Sequence, residues 1–285
     1  MRKMLIIGCG DIGRRIARIA QSRGEKVSAL VRSEHSSCEL QQLGIHVIQA
    51  DLDDEIEALD VDGTRVIYLA PPPHTGTKDW RMEHLLSAMS GRPESFLYLS
   101  TTGVYGDCNG EWVDETRPVA PLADRAWRRL HAEQQLTQAA SRQGWRYVIM
   151  RVAGIYGAQR LPLQRIKERQ PVLRAELAPF TNRIHEDDLA NISLCLLQKG
   201  GSGEIYNVTD GHPGTMSEYF VTVARYAGLP APPEIDMRQA HSELSAGMMS
   251  YLRESRRIST RKLLELPGLE LRYATLEEGL RAIFS

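Results

Sequence analysis

Residues 5–13, Leu-Ile-Ile-Gly-Cys-Gly-Asp-Ile-Gly, constrain this chain more than any other stretch. A short apolar run leads straight into Gly8-x-Gly10-x-x-Gly13. A helical pattern follows, with Ile12, Ile16 and Ile19 on one face and Arg14, Arg15, Arg18 and Gln21 on the other. The spacing has a physical cause. Gly8 permits a tight turn, Gly10 lets backbone approach a pyrophosphate, and Gly13 lets the helix pack closely on the strand. Asp11 and Ile12 lie inside the motif, where the opening helix offers free N–H groups and the positive end of its dipole to phosphates. Strand, glycine turn and helix in this order predict a dinucleotide-binding corner.

The first half of the chain alternates strand-like and helix-like segments, as a parallel sheet built from βαβ units requires. Strands are expected at 4–8, 26–31, 45–50, 65–70, 95–100 and 147–153. Helices are expected at 12–23, 54–59, 78–90 and 124–143. Beyond Tyr156-Gly157 the pattern loosens into a helix near 186–199, a strand at 204–208 and helices near 217–227, 259–266 and 275–284. The expected architecture is an α/β, doubly wound parallel sheet with a smaller C-terminal lobe. Residues 1–156 would form the dinucleotide-binding domain and 157–285 the lobe that covers it, with the chain returning to the sheet near 186–208.

A chain of 285 residues is long enough for one large core or a core with a smaller lobe. A net charge of −1 gives no reason to expect nucleic acid or a membrane surface as a partner. Cys9, Cys38, Cys108 and Cys195 have neither CxxC nor metal-ligand spacing, so no metal site is expected and reduced thiols in a cytoplasm are. The opening Met1-Arg2-Lys3-Met4-Leu5-Ile6-Ile7 mimics a signal peptide. Its apolar run is too short for one, and no segment approaches the length of a membrane span.

A dinucleotide site usually carries Asp or Glu about 20 residues beyond the glycines, to hold a ribose 2′-hydroxyl. Here the second strand ends in Arg32-Ser33. An arginine at that point can grip a 2′-phosphate through charge-assisted hydrogen bonds, which favours NADP(H) over NAD(H). Two alternatives stay open: a solvated arginine at a strand end, and Glu34 taking the ribose role with NAD(H).

Four further stretches carry a resemblance. They are Asp51-Leu52 after the third strand, Ser100-Thr101-Thr102-Gly103-Val104-Tyr105-Gly106 after the fifth, Arg151-Val152-Ala153-Gly154-Ile155-Tyr156-Gly157 at the sixth, and Asn182-Arg183-Ile184-His185-Glu186-Asp187-Asp188-Leu189-Ala190 opening a helix. In this order they resemble the extended and atypical short-chain dehydrogenase/reductases, the NAD-dependent epimerase/dehydratase family. The resemblance implies an adenine contact at Asp51 and a cofactor-side loop at Ala70-Pro71. It puts the catalytic Ser/Thr at Thr101, whose hydroxyl could alternatively satisfy local backbone.

The family's Tyr-x-x-x-Lys pair is missing. Aligning Glu133 with the family's glutamate sets Arg125 and Arg129 where tyrosine and lysine belong. Arginine is effectively never deprotonated, so Arg125 cannot act as the general acid/base, whereas Arg129 could supply the lysine's charge. The asparagine that sugar-nucleotide epimerases use is Gly154 here. Tyr105 is the first candidate for a substitute acid, while Tyr156, Arg183 and His185 are candidate substrate contacts. The tyrosines could instead be pocket walls and His185 a packing residue. Arginines crowd residues 142–174, a hint of an anionic small-molecule substrate, although a solvated helix would look the same. Two functions follow: an NADP(H)-dependent oxidoreductase with an atypical active site, or a catalytically silent NADP(H) sensor.

Overall fold

The computed structural model describes residues 2–285. Seven strands form one parallel sheet: β1 (Lys3–Ile7), β2 (Lys26–Val31), β3 (His46–Gln49), β4 (Thr64–Tyr68), β5 (Ser95–Thr101), β6 (Tyr147–Val152) and β7 (Glu204–Val208). Their order is β7-β6-β5-β4-β1-β2-β3, and every neighbouring pair is parallel. Because β1 lies between β2 and β4, the strand order reverses beside it. A crevice opens at the carboxyl ends of strands at such a point.

The sheet is buried on both faces, and alternation along each strand assigns its side chains. In β1, Met4 and Ile6 join one apolar layer while Leu5 and Ile7 join the other. Helix α1 (Asp11–Ser22) brings Ile12, Ile16, Ala17 and Ala20 to the first layer. The other layer receives Met82 and Leu85 of α3 (Trp80–Ala88) and Ala132, Leu136 and Ala140 of α4 (Asp124–Gln143). Helix α5 (Glu186–Lys199) packs beside α1 and adds Leu189, Ile192 and Leu196 to the first layer.

The helix expected at 54–59 does not form. Asp51 draws the backbone into a turn, its Oδ1 accepting from Asp53 N at 3.0 Å and its carbonyl from Asp54 N at 3.1 Å. Residues Leu59–Asp60 then pair as a short strand with Met89–Ser90. A helix absent from the sequence reading, α2 (Glu34–Gln42), connects β2 to β3 and is capped by Ser33, which accepts from Ser36 N. Two more unforeseen helices, Met237–Glu243 and Ala246–Leu252, lie in the C-terminal part. The first opens with a capping box between Asp236 and Gln239.

Candidate functional site

The glycine turn forms one wall of a cleft of about 500 Å³ at the switch point. Each glycine has a distinct steric reason. Gly8 has φ +80°, and a Cβ there would stand 2.6 Å from the backbone of Ala70. At Gly13 it would meet Cys9 Sγ at 3.1 Å and Ile6 at 3.2 Å, because α1 lies hard against β1. A Cβ on Gly10 would meet nothing within 4 Å. Its hydrogen faces free space on the cleft wall, the clearance that close backbone approach by a phosphate requires. No side chain caps α1, so its first-turn amides remain donors for an anion. These features fit a dinucleotide, which when bound supplies hydride exchange.

The remaining cofactor candidates lie around the same cleft. Asp11 and Ile12 continue the glycine wall, Arg32 and Ser33 close one end, and Asp51, Leu52, Ala70 and Pro71 complete the rim. Arg32 is 65% exposed and 3.9 Å from carboxylate oxygens of both Asp51 and Asp53, too loosely held to be immobilised. Ser36, one turn into α2, also lines the cleft, whereas Glu34 does not. The spacing Ser33-x-x-Ser36, a capping pattern, is the sequence signal that points to it. Arg81 braces the rim. It grips Asp53 through Nε and Nη2 at 2.7 and 2.6 Å and donates to the Pro71 carbonyl at 2.9 Å. That grip holds the Asp53 carboxyl down at about 2.

A second cavity of about 770 Å³ joins the first, and both share Leu99, Arg129, Ile155 and Arg160. Thr101, Arg125 and Arg183 line it. Thr101 Oγ1 accepts from Gly103 N at 3.1 Å, so it serves the local backbone as well as facing the cavity. Arg125 stacks over the Tyr251 ring at 4.3 Å and donates to Ser250 Oγ at 3.2 Å. Arg129, one turn further along α4, donates to the carbonyls of Leu99 at 3.0 Å and Ala70 at 3.3 Å. It thus stands at the junction of the two cavities.

Three candidates are placed elsewhere. Tyr105 is 1% exposed, and its hydroxyl donates to Asn207 Oδ1 at 2.8 Å inside a polar core. There Glu133 accepts from Ser100 at 2.5 Å and from Arg151 at 2.8 Å. Tyr156 is fully buried, donating to the Thr275 carbonyl at 3.3 Å. His185 packs between Tyr156, edge to face, and the tilted ring of Tyr273, and caps α5 by accepting from Asp187 N. None of the three lines either cavity. Tyr105 ends the short helical turn that follows β5, and Tyr156 and His185 end the strands Gly154–Tyr156 and Arg183–His185, but each side chain turns inward to satisfy the core. The tyrosines that do face the second cavity, Tyr219 and Tyr251, belong to helices of the C-terminal part and follow no motif that sequence reading recognises.

A model of the NAD dependent epimerase/dehydratase family matches residues 4–209. The chain belongs to that family. Protein YeeZ of Escherichia coli is 26% identical over 249 residues, covering 81% of this chain and 86% of YeeZ. The 4-hydroxy-2-methyl-3-oxo-4-farnesyl-3,4-dihydroquinoline-1-oxide ketoreductase of Stigmatella aurantiaca is 26% identical over 252 residues, 81% of this chain and 75% of the ketoreductase. Among solved structures, a functionally unknown conserved protein from Silicibacter pomeroyi superposes with a TM-score of 0.82 at 27% identity, covering 99% of this chain and 98% of that one. Among the described residues, no helix is long and apolar enough to cross a membrane.

Proposed function

We propose that this family member is an NADP(H)-binding oxidoreductase with an atypical reaction centre, acting on a small molecule held in the second cavity. The continuity of the two cavities at Leu99, Arg129, Ile155 and Arg160 carries the reading. It brings the glycine turn, Thr101, Arg125 and Arg129 around one connected space. In this reading residues 1–156 bind the dinucleotide and 157–285 cover it. Arg32, Ser33 and Ser36 at the cleft end, with Glu34 outside the lining, support a 2′-phosphate over a free ribose hydroxyl. The similarity to a ketoreductase over 81% of this chain and 75% of that protein supports carbonyl reduction. The four free cysteines support a reducing, cytoplasmic setting.

In this reading Arg129 provides the fixed positive charge that the family's lysine would provide. Thr101 offers an O–H donor to a substrate oxygen, stabilising negative charge as it develops there, and Arg125 faces the same space. Neither arginine releases a proton near neutral pH. The test is cofactor absorbance with NADPH over a panel of small carbonyl compounds and nucleotide sugars. Turnover of a small carbonyl compound is the expected result. Brisk epimerisation of a nucleotide sugar would overturn it. Silence across the panel with NADPH binding intact would favour a sensor, the reading that the missing Tyr-x-x-x-Lys pair supports.

A further inference from the structure

The second cavity holds positive charge that the protein leaves uncompensated. Five arginines line it: Arg125, Arg129, Arg160, Arg183 and Arg256. The carboxylate facing the same space, Glu254, is already paired with Arg256 at 2.7 Å. Arg160 is taken by Asp11 at 3.1 Å and Glu186 at 3.5 Å. Among the described residues, no carboxylate oxygen lies within 4 Å of Arg125, Arg129 or Arg183. A guanidinium has five N–H donors in a planar fork shaped for an oxoanion.

What these arginines touch instead is neutral. Arg183 donates to the Asn182 carbonyl at 2.9 Å and lies over the Tyr219 ring at 4.2 Å. Asp210 acts on it only from longer range, and burial pushes the guanidinium below its ordinary value. Arg125 has the Ser250 hydroxyl and the Tyr251 ring. Aromatic faces orient a guanidinium and attract it modestly, but they do not neutralise it. A partly buried cation without a counter-ion costs free energy that an arriving anion recovers. Both side chains come from regular elements, α4 for Arg125 and the strand Arg183–His185, paired with Gly154–Tyr156, for Arg183. Their positions are therefore set before any ligand arrives. Arg129 differs, since its Nη1 is anchored on the Leu99 and Ala70 carbonyls at the cofactor border.

We propose that the second cavity takes a substrate bearing a carboxylate or phosphate, and that Arg183 and Arg125 hold this anionic group. The proposal rests on the reading that this cavity receives the substrate, and it names the substrate's class. It also gives Arg125 a task that its chemistry allows, anion binding in place of proton transfer. A neutral carbonyl compound would leave both guanidinium groups unpaired and bind more weakly.

Isothermal calorimetry at low ionic strength tests it, with inorganic phosphate and malonate titrated into the full chain with and without saturating NADPH. Saturable binding of one or both is expected, at least tenfold weaker in Arg183→Gln and in Arg125→Gln. It should be unchanged in Arg225→Gln, an exposed arginine near Glu277 and outside both cavities. Arg183→Lys, which keeps the charge, should retain more affinity than Arg183→Gln, a difference that a merely structural arginine would not produce. Tighter phosphate assigns a phosphate ester, and tighter malonate assigns a carboxylate. The proposal is overturned if neither anion saturates the wild type, if both glutamine variants bind as the wild type does, or if the anion competes with NADPH. Competition would put it at the glycine turn. NADPH affinity is read separately on the same samples, so its absence would defeat the cofactor reading without obscuring the anion result.

Discussion

Arg129 Nη1 donates to the carbonyl of Leu99 at 3.0 Å, pinning α4 to the carboxyl end of β5 where the two cavities meet. The same nitrogen reaches the Ala70 carbonyl at the end of β4 and the Tyr98 hydroxyl. One side chain thus spans two strand ends, which a shorter ammonium could reach only as a point charge.

Replacing Arg129 by alanine should therefore cost about 1–3 kcal/mol, the range for hydrogen bonds from a charged donor to semi-buried acceptors. Urea unfolding measures it. A loss below about 0.5 kcal/mol, the level of an ordinary surface substitution, would mean that these contacts contribute little.

The glycines separate folding from binding. Gly10→Val should leave the fold stable, because its Cβ meets nothing within 4 Å, yet abolish dinucleotide binding by filling the approach path. Gly8→Ala should destabilise by about 1–3 kcal/mol through strain at positive φ and the clash with Ala70. Thermal melts with parallel NADPH titrations distinguish the two. A Gly10→Val protein that still binds NADPH normally would contradict the location of the cofactor.

The buried tyrosines and the cavity tyrosines should behave oppositely. Tyr105→Phe leaves Asn207 Oδ1 without its hydroxyl donor and should cost about 1–2 kcal/mol of stability, with NADPH affinity unchanged. On any substrate turned over, Tyr219→Phe or Tyr251→Phe should slow the reaction by tenfold or more if a phenol supplies the proton. A large kinetic effect of Tyr105→Phe in a stably folded protein would contradict the geometry.

The sheet and glycine turn were legible because strand alternation, glycine spacing and helix periodicity are local. The residues named as cofactor candidates all line one cleft, since a doubly wound fold brings its strand ends to one crevice. The directions of Tyr105, Tyr156 and His185 were not legible. They depend on partners far along the chain, Asn207 for Tyr105 and Thr275 for Tyr156, which no local pattern reveals. Helix α2 was missed because its sequence, Glu-His-Ser-Ser-Cys-Glu-Leu-Gln-Gln, buries only Ser37 and Leu40 and carries almost no apolar period. The capping box at Asp236 was a readable signal, but the helix it opens is only Met237–Glu243 and buries only Ala240, too little for an apolar period.

Asp210 gives a pH-dependent stability with a defined sign. Burial pushes its carboxyl up to about 6. A folded value above the unfolded one stabilises the protein at low pH, fully below about pH 4, and the benefit is lost as pH rises through about 6. Relative to Asp210→Asn, the wild type should lose about 2–3 kcal/mol between pH 4 and pH 7. Denaturant unfolding across that window checks it, and parallel pH profiles for the two proteins would refute it.

The proposed function requires the first cleft to prefer one dinucleotide over the other. Fluorescence titration of NADPH and NADH against the wild type and Arg32→Ala measures this directly. NADPH should bind at least tenfold more tightly than NADH to the wild type. Arg32→Ala should weaken NADPH by about tenfold, one charge-assisted contact, and leave NADH nearly unchanged. Equal affinities in the wild type, or equal losses for both cofactors in the variant, would contradict the account.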